Sequence, residues 1–197
     1  MLPDHVPPDS IGLINRPPRF CAVRVSLLGA CLLAASTACA TLMRPLGIDE
    51  LARQADLIIQ GTVIDKMSLR DEAGRIYSRV NVRVSEVWKG ALPTNSAGGS
   101  LTIVQSGGTV GSVREEVSGN VQYDAGEEFV AFLVFNQQGE PITIGLCQGK
   151  FRVWRDSRTG QKFANNPYHG APESAGPDSQ GRLRVSELKQ QVHQFAP

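Results

Sequence analysis

The chain has 197 residues, of which 41% are hydrophobic and 6% aromatic, and its formal net charge is +1. Such a composition excludes a disordered chain and a helical membrane protein. Near-neutrality removes bulk electrostatics as a route to DNA, RNA or an anionic membrane, so no nucleic-acid partner is expected.

Residues 1–40 read as a leader. Arg16, Arg19 and Arg24 precede an apolar run over residues 25–35, and Ala38-Cys39-Ala40 then carries the small-x-small pattern of a signal-peptidase site. A charged region, a short apolar core and a small-residue exit together describe a secretory signal. The apolar run falls well short of the roughly 20 residues needed to span a bilayer. Residues 1–18 are Pro-rich and carry Asp4 and Asp9, which fits an over-long gene start or an unusually long n-region. Export removes Asp4, Asp9, Arg16, Arg19 and Arg24 and leaves equal numbers of basic and acidic residues. The remaining body, roughly 155 residues, is large enough for one core without staples. The expected location is periplasmic or extracellular.

Of the four cysteines, Cys21, Cys31 and Cys39 lie in the leader or at its exit and only Cys147 lies in the body. This is neither a disulfide framework nor a metal cluster. Ser36-Thr37-Ala38-Cys39 partly matches a lipoprotein box, so lipidation of Cys39 competes with cleavage after Ala40. Apart from the signal itself, that is the only membrane attachment expected. A Cys39–Cys147 bond requires Cys39 to survive processing; an unpaired, inert Cys147 is the simpler expectation.

In chain order, residues 48–54 form a short helix, with Asp49 or the preceding turn as its cap and Ile48, Leu51 and Ala52 on one face. Residues 57–64 are β-branched and strand-like, with Gly61 marking a bulge or bend. In the next strand Val80, Val82 and Val84 alternate with Arg79, Asn81, Arg83 and Ser85. Continued alternation would bury Glu86, which predicts a bulge or strand end there. A third strand covers residues 101–105, a glycine-rich loop residues 106–111, and a short strand or exposed ribbon residues 113–117. The run FVAFLVF, residues 129–135, suits a strand covered on both faces. Ile142, Ile144 and Leu146 then alternate with Thr143, Gly145 and Cys147, and residues 151–154 form a further strand. Residues 156–181 lose all periodicity and read as a flexible loop. Ser186 caps a terminal helix over residues 187–195, with Leu188, Val192 and Phe195 on one face.

These elements predict a mainly β domain: a small antiparallel barrel over residues 41–155, a short N-terminal helix, a flexible segment over 156–184, and a C-terminal helix and tail over 185–197. Closure into a barrel leaves few sticky edges.

Chemistry is sparse. The body's only histidines, His169 and His193, have no His or Cys at ligand spacing, which speaks against zinc. A Cys147/His169 pair supports a hydrolase only by coincidence of residue type. Ser106 lacks the full G-x-S-x-G elbow and its strand-to-helix turn, and residues 145–150 are one residue short of a phosphate loop and lack its Ser or Thr. Adjacent carboxylates such as Glu127 and Glu128 point to opposite faces of a strand and form no acid–base pair. No cofactor is expected. The candidate partner-binding residues are the aromatics Trp88, Trp154 and Tyr168, of a kind enriched in interfaces although in a chain with few aromatics such residues more often fill the core or cap a barrel, together with Gly107 and Gly108 of the glycine-rich loop.

The succession ADLIIQGTV, YSRVNVRVSEVWKG, GG, AGEEFVAFL and GLCQGKFRV resembles a group of exported bacterial proteins of largely uncharacterised role, over residues 48–154. Mainly over residues 55–90 it is also similar to the N-terminal inhibitory domain of tissue inhibitors of metalloproteinases and other netrin-like modules. That resemblance implies an OB-like barrel with helices packed against it. The inhibitors open with a Cys-x-Cys segment whose first residue chelates the protease metal. Here the corresponding stretch is Cys39-Ala40-Thr41, without the second cysteine. The expectation is a non-catalytic exported binding module whose partner is a protein, a protease being one candidate. A lipid-anchored envelope accessory or structural protein and an unrecognised hydrolase are the alternatives.

Overall fold

The computed structural model describes residues 44–94, 96–170 and 182–195. The chain forms an antiparallel β domain with a helix at each end: α1 (Ile48–Gln54), β1 (Leu57–Arg70), β2 (Ile76–Lys89), β3 (Ser100–Ser106), β4 (Gly108–Val110), β5 (Val113–Glu115), β6 (Glu128–Phe135), β7 (Pro141–Thr143), β8 (Lys150–Arg155), β9 (Lys162–Asn165), β10 (Leu183–Arg184) and α2 (Val185–Phe195). The main sheet runs β10-β9-β8-β6-β1-β2-β3, and β4 and β5 form a separate two-stranded ribbon. β7 pairs with the end of β6 beyond β8. It also comes within 8 Å, Cα to Cα, of β3, the strand at the far edge of the sheet.

β1 and β2 form the long hairpin expected from residues 55–90. Asp71 closes its turn by accepting from the Arg75 backbone N–H and the Arg75 Nε, both at 2.8 Å. Three single-residue bulges interrupt the ladder, at Ile64, Ser85 and Trp88. The predicted parity break is therefore real, but the strand continues through it to Lys89. The Ser85 bulge turns Glu86 out of the Val80-Val82-Val84 stripe, where it would have been an unpaired buried charge, and brings it instead to Lys189 of α2. Gly61 faces the same ladder; a Cβ there would stand 2.7 Å from Val82 Cγ1.

β6 shows why an unbroken apolar run suits this fold. Phe129, Ala131 and Leu133 enter one core with Leu57, Ile59, Val80, Val82, Leu101 and Ile103. Val130 and Phe132 enter the other, with Ile58, Trp88, Phe151 and the buried faces of both helices. The period-2 geometry of a strand divides adjacent residues between two dry surfaces, so every position is apolar.

Of the two caps expected for α1, it is the preceding turn that serves, with Gly47 as N-cap and no side-chain cap bond, while Asp49 lies in the first turn. Three expectations are corrected. α2 begins at Val185, before Ser186; the Arg184 backbone N–H donates to Glu187 at 3.1 Å, half of a capping box. Leu146 does not continue an apolar stripe: β7 ends at Thr143, and Leu146 opens a 3₁₀ turn, 38% exposed, at φ +59°. Finally, residues 156–170 carry regular structure where a flexible loop was expected. Asp156 accepts from the Arg158 and Thr159 backbone N–H groups, and β9 then pairs with β8. Asn166 turns the chain again by accepting from the Tyr168 and His169 N–H groups, both at 2.8 Å. Residues 171–181 lie outside the described residues.

Candidate binding cleft beside the Gly107–Gly108 loop

The inner stripes of β2 and β3 face each other as the pairs Val82/Leu101, Val80/Ile103 and Ser78/Gln105. All six side chains are buried. The inner core is thus apolar for two rungs and polar at the third, where it meets the glycine-rich loop.

The Ser78 hydroxyl donates to the Gly107 carbonyl at 2.8 Å and lies 2.9 Å from the Ser68 hydroxyl, which in turn accepts from the Thr109 N–H at 3.2 Å. A hydroxyl has one proton, and that of Ser78 is committed to Gly107. The proton between the serines therefore belongs to Ser68. The bonds run in one direction, from Thr109 through Ser68 and Ser78 to Gly107, and lash both ends of the turn to the sheet. Gly107 (φ +80°) and Gly108 (φ +144°) permit this approach. A Cβ on Gly108 would collide with both serine hydroxyls.

Gln105 is only 8% exposed, and its Oε1 has no hydrogen-bond partner. It lines a cleft of about 650 Å³ between the glycine loop and residues 114–125, a size typical of ligand sites. Asn120 supports the far wall through its Nδ2, which donates to the Ser106 carbonyl at 2.6 Å. Glu115 is spent on the Ile76 N–H at 2.9 Å, and Glu116 pairs with Arg114. Asp124 is exposed on the rim.

A second cleft of about 560 Å³ lies on the other side of residues 120–124 and shares Asn120, Gln122 and Asp124 with the first. Its wall contains a buried ion pair, Lys150 Nζ to Glu127 Oε2 at 2.5 Å. Lys150 also donates to the Gln122 carbonyl and sits 4.8 Å from the centre of the Tyr123 ring. Burial pulls the Lys150 ammonium below its ordinary pKa, against the opposing pull of Glu127. Burial likewise raises the Tyr123 phenol, whose hydroxyl is 2.8 Å from that of Thr143.

Of the residues nominated from sequence, only Gly107 and Gly108 line the first cleft. Trp88 takes the core alternative and not the binding one: it is 5% exposed, belongs to the helix-side core, and donates its Nε1–H to Glu86 at 3.0 Å, so it offers no binding surface. Trp154 is half-buried and stacks on Phe163 at 4.9 Å, with the Arg182 guanidinium 4.6 Å from both ring centres. Tyr168 is 38% exposed on the Asn166 turn. Cys147 forms no disulfide among the described residues and lines the second cleft. His169 does not line it; its ring stacks on Phe151 and its Nε2 lies 3.0 Å from the Leu46 carbonyl. The processing residues Ala38, Cys39 and Ala40 lie outside the described residues. Among the described residues, no cluster of three His, Cys, Asp or Glu could hold a metal, and no helix is long and apolar enough to cross a membrane.

Sequence reasoning missed Gln105 and Ser78. The signal was present: each continues the parity of an apolar stripe with a polar residue. No protein-family model matches this chain, and comparison with curated proteins finds no match either.

Proposed function

We propose that this protein is a non-catalytic exported binding module that engages a protein partner through the cleft beside Gly107 and Gly108. The carrying observation is the cleft itself, about 650 Å³ between the glycine loop and residues 114–125, with the exposed Asp124 among its lining residues. The scaffold is read as an OB-like, netrin-like barrel, because β7, which branches off β6, comes within 8 Å of the edge strand β3 on the side of the inner core. The leader fits this role, since the partner would be met in the envelope or outside the cell.

The test is affinity capture from the native envelope with the full-length protein purified in its processed form. Wild type is compared with an Asp124→Lys, Glu116→Lys variant that alters only the cleft rim. A protein retained by wild type and lost by the variant supports the reading. Equal retention by both places the interaction elsewhere and sinks it.

A further inference from the structure

The backbone of residues 44–46, just ahead of α1, is bound by side chains from two distant turns. The Leu46 N–H donates to Gln148 Oε1 at 2.7 Å, and Gln148 Nε2 donates to the Arg44 carbonyl at 3.2 Å. His169 Nε2 lies 3.0 Å from the Leu46 carbonyl. A carbonyl only accepts, so this nitrogen carries the ring proton. Pro45, between them, has no N–H to satisfy. Segments near a chain end are poorly ordered unless something ties them down. Here the tie is Gln148, only 2% exposed, with both ends of its amide in use.

The two turns are also bound to each other. Asn166 Nδ2 donates to the Gln148 carbonyl at 2.7 Å, and Asn166 Oδ1 accepts from the His169 N–H at 2.8 Å. Leu46, Gln148, Asn166 and His169 thus close a ring of hydrogen bonds drawn from three separate parts of the chain. The Leu46 side chain seats the ring: it packs on the helix-side core, and a Cβ on Gly145 would stand 2.8 Å from Leu46 Cδ1.

This ring reaches both clefts. Asn166 and Cys147, the residue before Gln148, line the second cleft. The Cys147 N–H donates to the Gly119 carbonyl at 3.0 Å, and Gly119 and Asn120 belong to the wall of the first. Contacts therefore run without a break from Leu46 through the Gly145–Gly149 turn to the ridge between the clefts.

We propose that residues 44–46 are a strap that fixes the walls of both clefts, so that displacing it loosens the clefts while the sheet stays closed. Only residues 41–43 separate the strap from the cleavage expected after Ala40. An uncleaved leader, or a lipid on Cys39, would pull on it directly, so the strap couples the state of the N-terminus to the clefts. The coupling does not depend on what the clefts bind.

The test is amide hydrogen exchange on the full-length protein purified in its processed form, compared with Leu46→Ala and His169→Phe. Leu46→Ala removes the anchor of the strap without touching either turn. His169→Phe removes one donor and keeps an aromatic ring against Phe151. The expected result is exchange about tenfold faster at the Cys147, Asn166 and Asn120 amides in Leu46→Ala, and a smaller rise in His169→Phe, with the β6 amides unchanged. Equal acceleration in β6 means that Leu46 and His169 serve global stability alone and overturns the proposal. Acceleration confined to residues 44–54, with Cys147, Asn166 and Asn120 unmoved, makes the segment a passive tail and overturns it as well. His169→Phe leaves Leu46 in place, so it carries the test even where Leu46→Ala fails to fold.

Discussion

The Lys150 ammonium stands 2.5 Å from the Glu127 carboxylate with each side chain only 9% exposed. Desolvating both charges offsets much of their attraction, so the pair adds little net stability, yet breaking one half leaves a buried charge alone. Lys150→Met is expected to destabilise the domain by about 3–5 kcal/mol in urea unfolding, whereas Lys150→Met with Glu127→Leu costs far less or is neutral. A single variant no worse than the double would contradict this account.

The same pair predicts an alkaline response. The folded pKa of Lys150 is lowered by burial, so below its ordinary 10.5 the native state sheds this proton before the unfolded chain does. Where the unfolded state binds more protons, stability rises with pH. The contribution of Lys150 should therefore grow as pH climbs toward 10.5. The Lys150→Met, Glu127→Leu protein should lack that rise when urea midpoints are compared across the window.

Glu86 acts in the opposite range. Its carboxyl is held below its ordinary 4.5, first by Lys189 and then, against burial, by the Trp88 indole N–H. This stabilisation is complete above 4.5 and lost as pH falls through the lowered folded value. Glu86→Gln should make the acid limb of the stability profile shallower, an effect kept small by the half-exposed setting of the carboxylate.

Gly108 tests the loop. At φ +144°, with two serine hydroxyls where a Cβ would sit, Gly108→Ala should cost about 1–3 kcal/mol in strain. It should also loosen the cleft wall, seen as faster exchange of the Thr109 amide. Gly74→Ala, also at positive φ but with nothing within 4 Å, is the control for backbone strain alone and should cost less.

The leader is tested by intact mass of the purified protein. Cleavage after Ala40 gives a chain beginning at Thr41, and this is the expected species. An acylated Cys39 would instead establish the lipid-anchored alternative.

Much of the fold was legible because hydrophobic period reports which face of a strand is dry. The Val80-Val82 stripe, the two-faced run through Phe132 and the Leu188/Val192 face of the last helix all followed from that signal. β9 did not, because its short pairing is fixed by Asp156 and Asn166 turning their own backbone, and side-chain-to-backbone bonds leave no periodic trace. Trp88 stayed open between core and interface because residue type alone cannot tell an interface aromatic from one packed in the core beside a bulge. The cleft was half legible: the glycines marked the loop, and the parity of the β3 stripe placed Gln105 inward, but no sequence pattern places residues 114–125 opposite them.

Ala131 and Phe132 are bonded neighbours that belong to different cores. β6 is therefore a party wall between two rooms, and neither can be emptied while the other stands. Peeling away the helices would wet Val130 and Phe132; opening the β2–β3 side would wet Phe129, Ala131 and Leu133. The two halves should melt together, and the β6 amides should exchange with solvent only when the whole domain opens.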